Sequence, residues 1–139
     1  MQRNGHALAR RLAQTANMRD YRRIKAWQRA HSLAVAVHKL TKHFGRKGYS
    51  RLKAQLTEAA DSIGANIVEG CGAATNKDFA RFLDNSVKSA NETEYHLLCA
   101  RDFELIDRKD WNWFTTETIE VRKMIYTYRR RVVEDDRKN

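Results

Sequence analysis

Trp111, Phe114, Thr118, Val121, Ile125, Tyr128 and Val132 recur at alternating steps of three and four residues. A seam of that period, held across three heptads, belongs to a helix packed lengthwise on near-parallel neighbours, as in a bundle or coiled coil. A second stripe, Leu52, Leu56, Ala59, Ile63 and Ile67, steps by four, three, four and four, again the apolar face of one helix. The side chains between its anchors are small (Ala60, Ser62, Gly64, Ala65), so neighbouring backbones can approach on more than one side. Gly64 in a helix interior costs about 1 kcal/mol relative to Ala, which marks either a tight contact or a bend. Gly70 is placed to supply the left-handed residue that ends this helix. No proline and only six glycines punctuate the 139 residues. The chain therefore reads as all-α, an antiparallel up-and-down four-helix bundle with long helices and short loops.

Residues 1–19 form an acid-free basic arm, residues 20–133 the bundle, and residues 134–139 a charged tail expected to fray. The arm reads first as a mobile segment with no fixed role, and otherwise as a segment that touches nucleic acid, a targeting presequence, or an extension upstream of a true start at Met18. Helix 1 is predicted from Asp20 or Arg23 to His43 or Phe44, with Trp27, Ala30, Ala34, Val37 and Phe44 on its packing face. A loop over Gly45 to Tyr49 follows, and Ser50 is the expected N-cap of helix 2. Near the end of helix 2, Asn66 and Glu69 read as a polar pair that helps terminate it, or as a contact between subunits or with a partner. Thr75 or Asn76 caps helix 3, with Asp78 in its first turn. Helix 3 runs to about Phe103 on the anchors Phe79, Phe82, Leu83, Ser86, Val87, Ala90, Leu97 and Leu98. Helix 4 starts near Asp110.

Charge is distributed unevenly. The net charge is +10, yet residues 1–50 hold twelve Lys and Arg against the single acid Asp20, while residues 51–139 hold fifteen against sixteen acids. A localised basic block is the footprint of phosphate binding, and the same block also fits a merely solvated face. On a helical wheel Lys25, Arg29, Lys39, Lys42 and Arg46 fall opposite the apolar stripe of helix 1. No acid occurs between Asp20 and Glu58 to make the mixed-sign pairs of an ordinary surface helix. The expected nucleic-acid-binding set is Arg22, Arg23, Lys25, Arg29, Lys39, Lys42, Arg46 and Lys47, joined by the cluster Arg129, Arg130 and Arg131. Trp113 lies off the seam and, if exposed, suits an oligomer contact or base stacking.

Motifs for other chemistry do not appear. No Glu-x-x-His motif places two metal ligands on one face; Glu92 and His96 are four apart and read as a surface pairing. His31 and His38 sit on the flank of helix 1 as boundary residues. Gly70-Cys71-Gly72 lacks the length and the preceding strand of a phosphate-cradling loop. Cys71 has no neighbouring base, and with Cys99 it forms no CxxC, so both read as reduced thiols of a cytoplasmic protein. The uncharged run Ala30 to His38 is half of what a bilayer crossing needs. The expectation is a chain with no enzymatic activity, metal or cofactor.

Trp27-Gln28-x-Ala30, Ser62-Ile63-Gly64-Ala65-Asn66-Ile67-Val68-Glu69-Gly70 and Asp78-Phe79-x-Arg81-Phe82-Leu83, in that order, resemble the small bacterial four-helix-bundle family encoded in 23S rRNA intervening sequences. The likeness spans roughly residues 20 to 133, and Trp27, Ile63, Gly64, Asn66, Ile67, Glu69, Gly70, Phe79 and Phe82 carry it. The family usually places Pro where this chain has Gly64; Pro kinks a helix and removes a donor, whereas Gly only permits a bend. The resemblance implies a ring-forming homo-oligomer, a pentamer, with nucleic acid or an RNA-linked protein as partner. The function expected is non-catalytic binding of RNA or DNA through the basic face of helix 1. The alternative is a structural adaptor that docks a nucleic-acid-processing protein.

Overall fold

A computed structural model describes residues 19–138 together with Gly5. Four helices account for most of them: α1 Lys25–Leu40, α2 Ser50–Cys71, α3 Asn76–Asp102 and α4 Arg108–Lys138. No strand occurs among the described residues. Each helix packs on the next in sequence and α1 also packs on α4, which closes the bundle around one core. Of the proposed arm, residues 1–19, only Gly5 and Arg19 are among the described residues.

The core is built from the stripes read in the sequence. Leu56, Ile63 and Ile67 of α2 are fully buried, as are Val121 and Ile125 of the α4 seam. They meet Leu33 and Val37 of α1 and Phe79, Leu83 and Leu97 of α3 in a single cluster. At roughly 1.5–3 kcal/mol for each fully buried large apolar side chain, these residues are the main force holding the helices together. Buried hydroxyls are satisfied locally: Ser86 donates to the Ile63 carbonyl across α2 and α3 at 2.6 Å, and Thr118 donates back to Phe114 at 2.7 Å.

The small residues of α2 do admit two neighbours. A Cβ built on Gly64 would lie 3.4 Å from Nε1 of Trp27 on α1, whereas one built on Gly70 would lie 2.7 Å from Cδ1 of Phe79 and 2.9 Å from Cβ of Phe82 on α3. Gly70 is thus a contact glycine inside the helix. It does not supply the left-handed end that its position implied: α2 continues to Cys71, and its cap Gly72 has ordinary φ of −86°.

The left-handed residues sit elsewhere. Gly48, at φ 87°, follows a 3-10 turn over Gly45–Lys47; its N–H donates to Gly45 and that of Tyr49 to Phe44, the paired bonds of a Schellman ending. Glu104, at φ 61°, makes the same ending after α3, with its own N–H donating to Arg101 and that of Leu105 to Ala100. A non-glycine side chain there works against sterics of about 1–2 kcal/mol, and burial of Leu105 offsets it.

Three boundaries differ from expectation. α1 stops at Leu40 rather than His43 or Phe44, because bonding tightens to i→i−3 over Thr41 to Phe44 while the buried hydroxyl of Thr41 donates to Val37 at 3.0 Å. Ser50 is the first residue of α2, and Tyr49 precedes it with no side-chain cap. The charged tail continues α4 as helix to Lys138, since no glycine or proline interrupts it. Thr75 caps α3 as expected, accepting from the Asp78 N–H at 3.1 Å, and Asp107 caps α4 by accepting from Asp110 at 2.7 Å.

Candidate nucleic-acid interface

The eleven cations expected to form one surface divide three ways. Arg29 and Arg129 are engaged within the bundle. Arg29 clamps Glu117 of α4 through two bonds of 2.8 and 2.9 Å, and Arg129 holds Asp84 of α3 at 2.5 and 3.2 Å. A planar guanidinium matches a carboxylate with two parallel bonds, so these two pairs link neighbouring helices, each partly open to solvent. Arg22 is drawn to Asp20 at 3.1 Å, and that guanidinium holds the Asp20 carboxyl below its ordinary range.

The rest separate by position along α1. Lys39 and Lys42 stand at its C-terminal end with Arg46 and Lys47 of the following turn, all exposed. Arg23 and Lys25 lie fourteen or more residues earlier, roughly 21 Å away along the axis at 1.5 Å per residue. Arg131, from the far end of α4, lines the same groove as Arg23 and Lys25. Arg130 is exposed nearby in sequence. Among the described residues no carboxylate lies within ion-pair distance of Arg23, Lys25, Lys39, Lys42, Arg46, Lys47, Arg130 or Arg131. The basic ridge is therefore two clusters at opposite ends of α1, with Arg29 neutralised between them. Lys123 and Arg19 join the first cluster. Arg19 belongs to the basic arm read over residues 1–19, whereas nothing in the sequence pointed to Lys123, because only the packing of α4 on α1 brings it there.

The motif residues serve packing. Ile63 and Ile67 are fully buried, Phe79 likewise, and Phe82 is half-buried. Trp27 is half-buried, with its ring stacked on His31 at 5.1 Å. Asn66 donates to the carbonyl and hydroxyl of Ser62 at 2.9 and 3.0 Å, and Ser89 of α3 donates to the same hydroxyl at 2.9 Å. Asn66 thus joins a polar link between α2 and α3 instead of pairing with Glu69, which is exposed. His38 bonds Asp61 at 2.9 Å. Among the described residues Glu92 and His96 make no hydrogen bond with each other, and His96 packs beside Tyr95 at 5.5 Å. Burial pushes the Cys71 thiol above its ordinary pKa, which keeps it protonated and unreactive. No group of three or more His, Cys, Asp or Glu side chains could hold a metal among the described residues, and no described helix is long and apolar enough to cross a membrane.

Exposed aromatics mark α3 and α4. Tyr95 is 61% exposed, Trp113 52% and Tyr126 50%. Trp113 stands edge-on to Phe114 at 4.8 Å, off the seam as its spacing required.

A family model for the 23S rRNA-intervening sequence protein matches residues 22–127. The chain belongs to this family. Every residue that carried the resemblance falls inside the match. A crystal structure of a protein of unknown function from the S23 ribosomal protein family of Bacteroides thetaiotaomicron is similar at 25% identity. Its TM-score is 0.71, over 76% of this chain and 95% of that one. No curated protein matches the chain. Membership accounts for the bundle, and the matched span ends before Arg129 to Arg131 and before the last turns of α4.

Proposed function

We propose that this protein is a non-catalytic, RNA-associated nucleic-acid-binding protein that grips phosphates through the exposed cations at the two ends of α1. The observation that carries this reading is that eight of those cations have no carboxylate partner among the described residues, although acids are plentiful on α3 and α4. Lys and Arg left unpaired in this way release counterions from a polyanion and bind it without reading sequence. The name of the matched family, which refers to 23S rRNA, points to RNA as the polyanion.

The helices alternate in direction, and several copies assemble as a ring of five acting in the cytoplasm. Alternation is supported by contacts at the two ends: Arg19, just before α1, bonds Asn76 at the start of α3, while His43, just after α1, bonds the Leu105 carbonyl after α3 at 2.9 Å. Self-association is supported by the exposed Tyr95, Trp113 and Tyr126, a residue type enriched at interfaces. A ring of five would carry five times the +10 of one chain, and its repeated weak sites would act together through avidity. Free Cys71 and Cys99 suit a reducing compartment. The same aromatics favour a second reading, an adaptor that docks a nucleic-acid-processing protein.

The test is Lys39→Glu with Lys42→Glu. Both side chains are exposed, so the double variant should keep its helical circular dichroism while losing affinity for RNA and DNA in a filter-binding titration. Unchanged affinity in the folded variant removes this cluster from the site. An absence of binding by the unmodified protein, even at low salt, hands the function to the adaptor reading.

A further inference from the structure

A cavity lies where the chain enters α1 and crosses the C-terminal half of α4. It is an open groove of about 720 Å³, within the roughly 300–1,000 Å³ of ligand clefts. Its floor is apolar: Ile24, Ala26, Met124 and the ring of Tyr128. Its rim carries Arg19, Arg23, Lys25, Lys123 and Arg131, against one carboxylate, Asp20. That carboxylate is already taken by Arg22. Lys123 has only a loose contact of 3.6 Å with Glu120 on its own helix, and both are exposed. One Nη of Arg19 is buried with no acceptor among the described residues.

A floor of apolar atoms under a ring of cations selects an anion that also carries a flat apolar body. A duplex presents phosphates, sugars and the edges of its bases but keeps the flat base faces stacked inside. An unpaired nucleotide presents both. Its base can lie on Tyr128 and Met124, a phenol ring and a polarisable sulfur, while the adjoining phosphates reach Arg23, Lys25 and Arg131. The chain's own first eighteen residues are the wrong occupant, because they carry Arg3, Arg10 and Arg11 and no acid and would meet like charge. We infer that this groove is a single-strand site, seating an unpaired nucleotide with its base on the Tyr128 floor and its phosphates on the cationic rim. The inference rests on the nucleic-acid reading above and adds to it a preference for single over double strands at this end of α1.

The experiment compares fluorescence anisotropy titrations of a short uridine oligonucleotide and a blunt RNA duplex of equal phosphate count, with the full chain and with Tyr128→Leu. Losing one stacking platform should weaken the single strand about tenfold and leave the duplex unchanged. Because Tyr128 also touches Phe79 at 5.8 Å between ring centres, a second variant protects against loss of fold. Lys25→Gln with Arg131→Gln changes only exposed side chains and should weaken the single strand more than the duplex. Photocrosslinking of a 4-thiouridine oligonucleotide should place the modified base on Met124 or Tyr128. Equal weakening of both ligands, or crosslinks confined to Lys39 to Lys47, overturns the groove while leaving phosphate binding standing. No binding of either ligand at low salt overturns both readings together.

Discussion

Gly70→Ala adds one methyl group between α2 and α3. The new Cβ would stand 2.7 Å and 3.0 Å from two ring atoms of Phe79 and 2.9 Å from Cβ of Phe82. None of these can yield cheaply, because Phe79 is fully buried and Cβ of Phe82 is fixed to the α3 backbone. The clash must therefore separate the helices or rotate a packed ring, an overpacking cost of roughly 1–3 kcal/mol. Ala is favoured over Gly in a helix interior by about 1 kcal/mol, so the net loss should be up to about 2 kcal/mol. For a chain of 139 residues, an unfolding entropy of about 2.1 cal/mol/K per residue converts this to a fall in Tm of up to about 7 °C. Gly64→Ala is the matched control. Its Cβ would meet Trp27 Nε1 at 3.4 Å and Cδ1 at 3.5 Å, ordinary contact, so the helix-propensity gain should survive and raise Tm by up to about 3 °C. Thermal unfolding followed by circular dichroism, at one protein concentration for all three proteins, reads both signs. A Gly70→Ala protein stabilised as much as Gly64→Ala would refute the close approach of α2 and α3.

Four further outcomes follow from the same coordinates. Glu104→Gly removes a side chain from a left-handed position and should stabilise by about 1 kcal/mol in urea unfolding; a loss would mean that the Glu104 side chain contributes more than its backbone strain costs. Ile63→Asp buries an unpaired charge at a site with no exposure and should cost several kcal/mol; a folded, equally stable variant would place Ile63 on the surface. Arg29→Ala with Glu117→Ala in a double-mutant cycle should give a coupling under about 1 kcal/mol, since the Arg29 side chain is 46% exposed, and a coupling of zero would show the pair to be open in solution. Burial raises the pKa of Cys71 above 9.0 and that of Tyr128 above 10.0. The folded state then holds protons that the unfolded chain releases, so stability is full below pH 9 and falls as pH rises beyond it, which denaturation midpoints across that range will show.

Much of the architecture was legible because it is periodic. The α4 seam and the α2 stripe needed only their spacing, and the sequence narrowed the α3 cap to Thr75 or Asn76, of which the structure uses Thr75. What stayed hidden depends on partners far along the chain. Gly70 resembles a helix terminator until Phe79 and Phe82 are seen lying across it. The ending after α3 carries Glu104 where a glycine would have announced it. The candidate site was legible as composition and illegible as geometry. Arg29 meets a carboxylate 88 residues away and Arg129 one 45 residues away, separations over which no local pattern operates. The same folding that neutralises those two brings Arg131 and Lys123 to Arg23 and Lys25, so the basic third of the chain becomes two clusters, one of them shared with α4.

The claim that the exposed cations of α1 bind a polyanion is tested most directly by the salt dependence of RNA binding. Affinity for single-stranded RNA measured from low to physiological salt should fall on a straight log–log line, with a slope of about −0.7 for each phosphate neutralised. Engagement of both clusters predicts a slope several times that value, and Lys39→Glu with Lys42→Glu should flatten it. A slope near zero, or one that the double variant leaves unchanged together with its affinity, would contradict the account.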